Sequence, residues 1–111
     1  CIRDRKAMEL KHRYPGIDAF FCASDGIAIG AIDGMMQLGM QVPQDVAVAG
    51  FDDFTVSKYI HGGITSVKQY PYEMGVACAN TVVSMIDGNR VPDWIPMEYK
   101  LMKRTSTKAK L

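Results

Sequence analysis

The chain has 111 residues, 48% of them apolar, with thirteen Lys and Arg against twelve Asp and Glu. That is enough apolar material for one domain-sized core, which argues against a disordered or fibrous chain. A formal net charge of +1 is too balanced for a nucleic-acid-binding module, whose basic face shows as a high pI.

Residues 2–13 are charged and carry Ile2, Met8 and Leu10 as their apolar members, a surface-helix pattern stopped by Tyr14-Pro15-Gly16. Asp18 to Ala23 is a short apolar run of buried-strand length, with Phe20 and Phe21 expected in the core. Ser24-Asp25 then supplies an N-cap. From Gly26 to Leu38 the positions Ile27, Ala28, Ala31, Ile32, Met35 and Met36 form a broad apolar face, and Gly39 is a natural stop. Gly26, Gly30 and Gly34, at i, i+4, i+8, match neither G-x-G-x-x-G nor G-x-x-x-x-G-K-[ST]. They read as a close-packing face.

Val46 to Phe51 is a second continuous apolar strand, ending at Asp52-Asp53, with Phe51 again expected in the core. A short helix is predicted from about Thr55 to Ile60. Ile64 to Val67 forms a third strand, ending at Lys68-Gln69, and Pro71 opens the strongest helical pattern of the chain, which Asp87-Gly88-Asn89 ends. Met97, Tyr99 and Leu101 alternate with Glu98 and Lys100 and predict a strand with one exposed face. Lys103, Arg104, Lys108 and Lys110 read as a solvated basic terminus.

Apolar strands separated by helices imply an α/β fold, a layered parallel sheet flanked by helices. In such sheets ligands gather beyond the carboxyl ends of the strands. That rule selects Ser24-Asp25, Asp52-Asp53-Phe54 and Lys68-Gln69. From Pro15 to Ser57 the chain holds Asp18, Asp25, Asp33, Asp45, Asp52 and Asp53 and no Lys or Arg. An acidic rim disfavours anions and suits neutral polyols, whose adjacent hydroxyls can both donate to one carboxylate. Phe54 can lie against the apolar face of a sugar or base. The structural alternative stands beside this reading, with Asp25 only a helix cap and Asp52-Asp53 only a strand exit.

No catalysis is expected, because neither G-x-S-x-G nor a Cys with a motif-placed His occurs; a phosphoryl-accepting site at Asp25, Asp52-Asp53 and Lys68 stays a minor alternative, since response-regulator receiver domains carry their acidic pair before the acceptor Asp and here it comes after the single Asp. His12 and His61 lack metal-ligand spacing, so no metal and no cofactor are expected. Cys1, Cys22 and Cys78 have no C-x-x-C spacing and sit in apolar stretches as small hydrophobes, which fits a reducing, cytoplasmic setting. No apolar run approaches the ~18 residues of a membrane span. The chain starts without Met, inside a helical pattern, and is expected to be a piece of a longer protein.

The runs Ala19-Phe20-Phe21-Cys22-Ala23-Ser24-Asp25-Gly26, Val42-Pro43-Gln44-Asp45 through Gly50-Phe51-Asp52-Asp53, Ile64-Thr65-Ser66-Val67-Lys68-Gln69, Met74-Gly75 and Lys103-Arg104-Thr105-Ser106-Thr107 closely resemble the effector-binding core of LacI/GalR-family transcriptional regulators. The resemblance covers about residues 15 to 107. It implies an incomplete periplasmic-binding-protein-like lobe, residues 1–111 being part of a C-terminal effector-binding and dimerisation domain whose helix within 71–90 belongs to the other lobe in the full protein. The ligand would be a small sugar or nucleobase held in an inter-lobe cleft, and DNA would be bound only by an N-terminal domain outside this chain. Effector-contacting groups are implied at Ser24, Asp52 and Gln69, with Asp25 and Phe54 added by the strand-end argument. The helix of residues 25–38 and the Tyr59-Ile60 segment resemble a dimerisation surface, with Ile29, Ile32, Met35, Met36, Tyr59 and Ile60 expected on it in a homodimer. Ser24 stands where many relatives carry Asn, and His61-Gly62-Gly63 replaces a Pro-rich stretch. A lobe of a periplasmic sugar-binding protein of a transport system is the alternative.

Overall fold

The structure, a computed structural model, describes residues 1–107. They fall into two units, one of Cys1–Lys68 with the stretch from Leu101 onward, the other of Gln69–Lys100. In the first, α1 (Ile2–Arg13) leads to β1 (Ala19–Phe21), α2 (Asp25–Gln37) and β2 (Ala47–Ala49). Strand β3 (Ser66–Gln69) leads out of this unit and β4 (Tyr99–Met102) leads back into it.

β1 pairs with β2 in parallel, in the register Ala19 to Ala47, Phe20 to Val48 and Phe21 to Ala49. β2 continues toward β3 through parallel bridges at Ala49–Thr65 and Asp52–Lys68. The Gly50 N–H donates to Thr65 O at 2.8 Å and the Asp52 N–H to Val67 O at 3.0 Å. All three segments run the same way, so their carboxyl ends share one edge, and the parallel α/β architecture expected from the alternation of patterns is what forms.

Helix α2 supplies the largest share of the core. Ala28, Ala31, Ile32 and Met35 are buried against Val46, Val48 and Ile64. Its end is a Schellman turn: Gly39 takes φ +74°, its N–H donates to Met36 O, and the Met40 N–H donates to Met35 O. Gly34 has a different task. A Cβ there would sit 2.6 Å from Asp4 O of α1, so the missing side chain lets the two helices approach, and the close-packing reading of the glycine series holds at this position.

Several expectations need correction. Ile32 and Met35 are fully buried. They face the sheet rather than a partner, because the helix stripe that carries them is the one that seals the core. Phe21 is exposed while Phe20 packs against the core, as the alternation of side chains along a strand demands. The segment after Asp53 forms two 3₁₀ turns, Thr55–Lys58 and Ile60–Gly62, instead of one short helix, because His61 takes φ +51° and breaks the helical run. Tyr99 and Leu101 of β4 are exposed. Cys22 is buried but Cys1 and Cys78 are exposed. Arg104 is not solvated, since its guanidinium pairs with Asp53 at 2.7 Å. Lys108 and Lys110 lie outside the described residues.

The second unit is built on α3 (Pro71–Ile86), with Pro71 in its first turn as expected. No residue of α3 is buried, and Val76, Val82, Val83, Met85 and Ile86 are exposed. A hollow of about 420 Å³ lies between this helix and the following loop, lined among others by Met74, Cys78, Val82, Trp94 and Met97.

At the shared edge of the first unit, a fully buried carboxylate ties the segments together. Asp25 Oδ2 accepts from the Phe54 N–H at 2.8 Å and from the Ser57 hydroxyl at 2.5 Å, while Oδ1 accepts from the Ser66 hydroxyl at 2.6 Å. The Asp25 N–H donates to Phe51 O at 2.9 Å. Gly50 makes the room, because a Cβ there would collide with Asp25 Oδ1. Burying a carboxylate is costly unless its lone pairs are met by donors, and here both oxygens are met. Asp25→Ala strands those donors and is expected to cost several kcal/mol, at about 1–3 kcal/mol for each buried polar group left unpaired. A urea titration reads it as a lowered midpoint, and an unchanged midpoint would contradict the arrangement.

Burial also pushes the Cys22 thiol up to about 11 from 9.0. The folded state therefore keeps its proton where the unfolded chain begins to lose it. The contribution to stability is complete below about 9 and is lost as pH rises from there toward 11. At pH 8.5 a thiol-specific chromogenic reagent is expected to titrate Cys1 and Cys78 rapidly and Cys22 only after denaturant is added. Rapid reaction of all three in the native protein would contradict this.

Candidate functional site

Of the strand ends selected by the sequence pattern, Ser24-Asp25, Asp52-Asp53-Phe54 and Lys68 lie at one edge of the first unit, and Gln69 begins the second. Ser24 follows β1 and caps α2, its hydroxyl accepting from the Ile27 N–H at 3.3 Å. Asp52 follows β2 and is bridged through its backbone to Lys68 of β3. Phe54 follows Asp53, the residue 46% exposed and its N–H held by Asp25. Gln69 is the last residue of β3, directly after Lys68. Ser24, Asp52, Phe54 and Lys68 are thus gathered by three separate stretches of chain, with polar groups and one aromatic ring at a common rim.

Asp25 does not belong with them as a ligand group. Its carboxylate points inward and is consumed by Phe54, Ser57 and Ser66, so no lone pair is directed at the rim for a sugar hydroxyl. The first turn of a helix beginning at a strand end places position N1 against the neighbouring strand, which is where Asp25 sits. Its task is to hold the rim.

The backbone at the rim is unusual. Asp52 has φ +96° and Asp53 φ +52°, two consecutive non-glycine residues in the left-handed region. L-residues avoid this region, and where it occurs the surroundings must enforce it. Here the Asp52 N–H is held by Val67 O, the Asp53 N–H donates to Ser66 Oγ at 3.0 Å, and the Asp53 carboxylate pairs with Arg104. The turn begins at the Asp52–Lys68 bridge, where this segment still pairs with β3.

The acidic stretch is less acidic at the rim than its composition suggests. Asp33 lies 3.2 Å from His61 Nε2, Asp45 accepts from the Gln41 N–H at 2.8 Å, Asp53 is paired and Asp25 is buried. Asp52 stands at the rim, at the bridge to Lys68. Ser57, Ser66 and Arg104 were not visible as participants in the sequence. They lie 32, 41 and more positions from Asp25 along the chain, beyond the reach of any periodicity. Among the described residues no His, Cys, Asp and Glu side chains are grouped as metal ligands, and no helix is long and apolar enough to cross a membrane.

Of the surface expected to pair two copies, Met36 and Tyr59 are exposed, Ile29 and Ile60 are half-buried against the core, and Ile32 and Met35 are inside it. Four of those six residues thus retain some surface.

Comparison with known proteins identifies the family and the fold. Residues 2–107 match the periplasmic binding protein-like domain. The HTH-type transcriptional regulator CelR of Thermobifida fusca is 39% identical over 99 residues, which cover 88% of this chain and 29% of that protein. A solved complex of the transcriptional regulator CelR with cellobiose superposes with a TM-score of 0.83 at 37% identity, covering 94% of this chain and 32% of that one. A LacI family transcriptional regulator from Lactobacillus casei, solved with bound sucrose, superposes with a TM-score of 0.71 at 27% identity, covering 94% of this chain and 39% of that one. The chain spans about a third of the length of the curated relatives it matches. These relatives are transcriptional regulators, not enzymes. The chain belongs to the periplasmic-binding-protein-like domain family and corresponds to part of the effector-binding region of LacI/GalR-type regulators.

Proposed function

We propose that this chain is the effector-binding and dimerisation part of a sugar-responsive transcriptional regulator. Its rim supplies one wall of a cleft, and the remainder of the full protein supplies the other. The observation that carries this reading is the convergence of Ser24, Asp52 and Phe54 at one sheet edge on a backbone held in a disfavoured conformation. Asp52 accepts hydrogen bonds from two sugar hydroxyls, Ser24 adds a contact, Gln69 donates and accepts through its amide, and Phe54 covers an apolar sugar face. Cellobiose and sucrose in the two related structures support a neutral polyol over a nucleobase.

Regulation follows from linkage. An effector that binds the closed cleft better than the open one shifts the balance of lobe orientations, and that orientation sets how the dimer presents DNA-binding domains lying outside this chain. The exposed apolar residues of α3, in residues 71–90, support its assignment to the other lobe, whose remaining chain would cover them. Met36 and Tyr59, with Ile29 and Ile60 at the margin, form the two-fold contact. Three free cysteines suit a cytoplasmic location. The protein works without catalysis and without a cofactor.

In the full protein, Asp52→Ala removes a charged acceptor worth about 1.5–3 kcal/mol, so calorimetry with cellobiose and sucrose is expected to show at least a tenfold loss of affinity. Unchanged affinity for the sugar that binds the unaltered protein would remove Asp52 from the site. Met36→Glu places a charge in the proposed dimer contact. Sedimentation equilibrium is expected to show the dimer dissociating at least tenfold more readily, while an unaltered dimer would put the contact elsewhere.

A further inference from the structure

Arg104 reaches the Asp52–Phe54 turn from the far end of the chain. Its Nη1 lies 2.7 Å from Asp53 Oδ1 and donates to Ile64 O at 2.8 Å, and the two paired side chains are only 16% and 11% exposed. Its main chain is pinned as well. The Arg104 N–H donates to Thr65 Oγ1 at 2.9 Å, and that hydroxyl lies 3.1 Å from Arg104 O and 2.6 Å from Thr107 Oγ1. Gly63, at φ +106°, leaves space for the arginine stem, since a Cβ there would stand 2.9 Å from Arg104 Cδ. The arginine is held in place before it meets Asp53.

The turn it meets is one that L-residues resist. Val67, Ser66 and Asp25 hold the N–H groups of Asp52, Asp53 and Phe54, while Arg104 holds the Asp53 side chain. Without the guanidinium, a nearly buried carboxylate loses the cation 2.7 Å away, and its relief is to swing toward water. The Asp53 N–H is tied to Ser66 Oγ and its carboxylate to Arg104, so losing the ion pair removes one of two restraints on its left-handed φ, and Asp52 is the residue joined directly to it.

We infer that Arg104 is a positioning residue for effector capture, holding Asp52 in its left-handed geometry without touching the ligand. The inference rests on the reading of the strand ends as the effector site, and deepens it by naming what sets the site's geometry. Lys in place of Arg keeps the charge but not the planar guanidinium whose Nη1 stands beside both Asp53 and Ile64 O.

The test uses the full protein with Arg104→Ala, Arg104→Lys, Asp53→Asn and Asp52→Ala, read by amide hydrogen exchange and by calorimetry with whichever of cellobiose and sucrose binds the unaltered protein more tightly. Arg104→Ala is expected to speed exchange at Asp53 and Phe54 at least tenfold, with Ala31 and Ile32 of α2 changed less than twofold, and to weaken sugar binding at least tenfold. Arg104→Lys recovers part of both. Arg104→Ala combined with Asp53→Asn is no worse than Arg104→Ala alone. Exchange at Phe54 that stays unchanged, or that rises in step with α2, overturns the inference, as does local loosening with sugar affinity retained. If Asp52→Ala keeps full affinity while Arg104→Ala loosens only the turn, the effector-site reading fails and the ion pair is left as a local structural lock.

Discussion

The rim of this protein depends on one buried carboxylate. Asp25 stands at the start of α2, where a negative charge is favoured by the helix dipole and by unpaired N–H groups. It is nevertheless turned away from solvent, toward residues from two later stretches of chain. Its oxygens receive one backbone N–H and two hydroxyls. Each of those donors sits on a different part of the rim, so satisfying the charge and ordering the strand ends are the same event. A protein of this size has about 5–15 kcal/mol of stability in all, so a network whose loss costs several kcal/mol commits the local geometry strongly.

A second tie closes the sheet from the other side. Ser106 is buried, its hydroxyl donating to Val48 O at 2.6 Å and accepting from the Thr65 N–H at 2.8 Å. In an uninterrupted parallel ladder those two backbone groups would be partners. The hydroxyl stands between them, which explains why β2 and β3 touch only through single bridges while remaining aligned. Together with Arg104 it makes residues 104–107 part of the sheet edge rather than a trailing end. The chain leaves this unit after β3 and must come back to it for the rim to be complete.

Much of the fold was legible beforehand, for physical reasons that act over short distances. The apolar run of Val46 to Phe51, the three-and-four spacing from Ile27 to Met36 and the proline at the head of α3 each encode a local conformation, and each element formed within a few residues of its expected bounds. The parallel arrangement followed from their alternation. The rim residues Ser24 and Asp52 were found by the same logic, because a strand's last residue is marked where the apolar run stops.

Local pattern failed where a side chain's partner lies far along the sequence. Periodicity marked Ile32 and Met35 as apolar but could not say whether a sheet or a second copy would cover them. Asp25 and Asp52 carry the same carboxylate at equivalent strand ends, yet Ser57 and Ser66 draw the first inward while the second stands on a left-handed turn bridged to Lys68. Arg104 looked like part of a basic tail until Asp53 stood beside it. The amino-acid order by itself determined which segments are strands and helices and on which edge their ends gather, since those depend on neighbours a few residues away. Only the tertiary structure decided which polar groups are spent on holding that edge, because a hydrogen bond is assigned by proximity in space and the residues that compete for it are tens of positions apart.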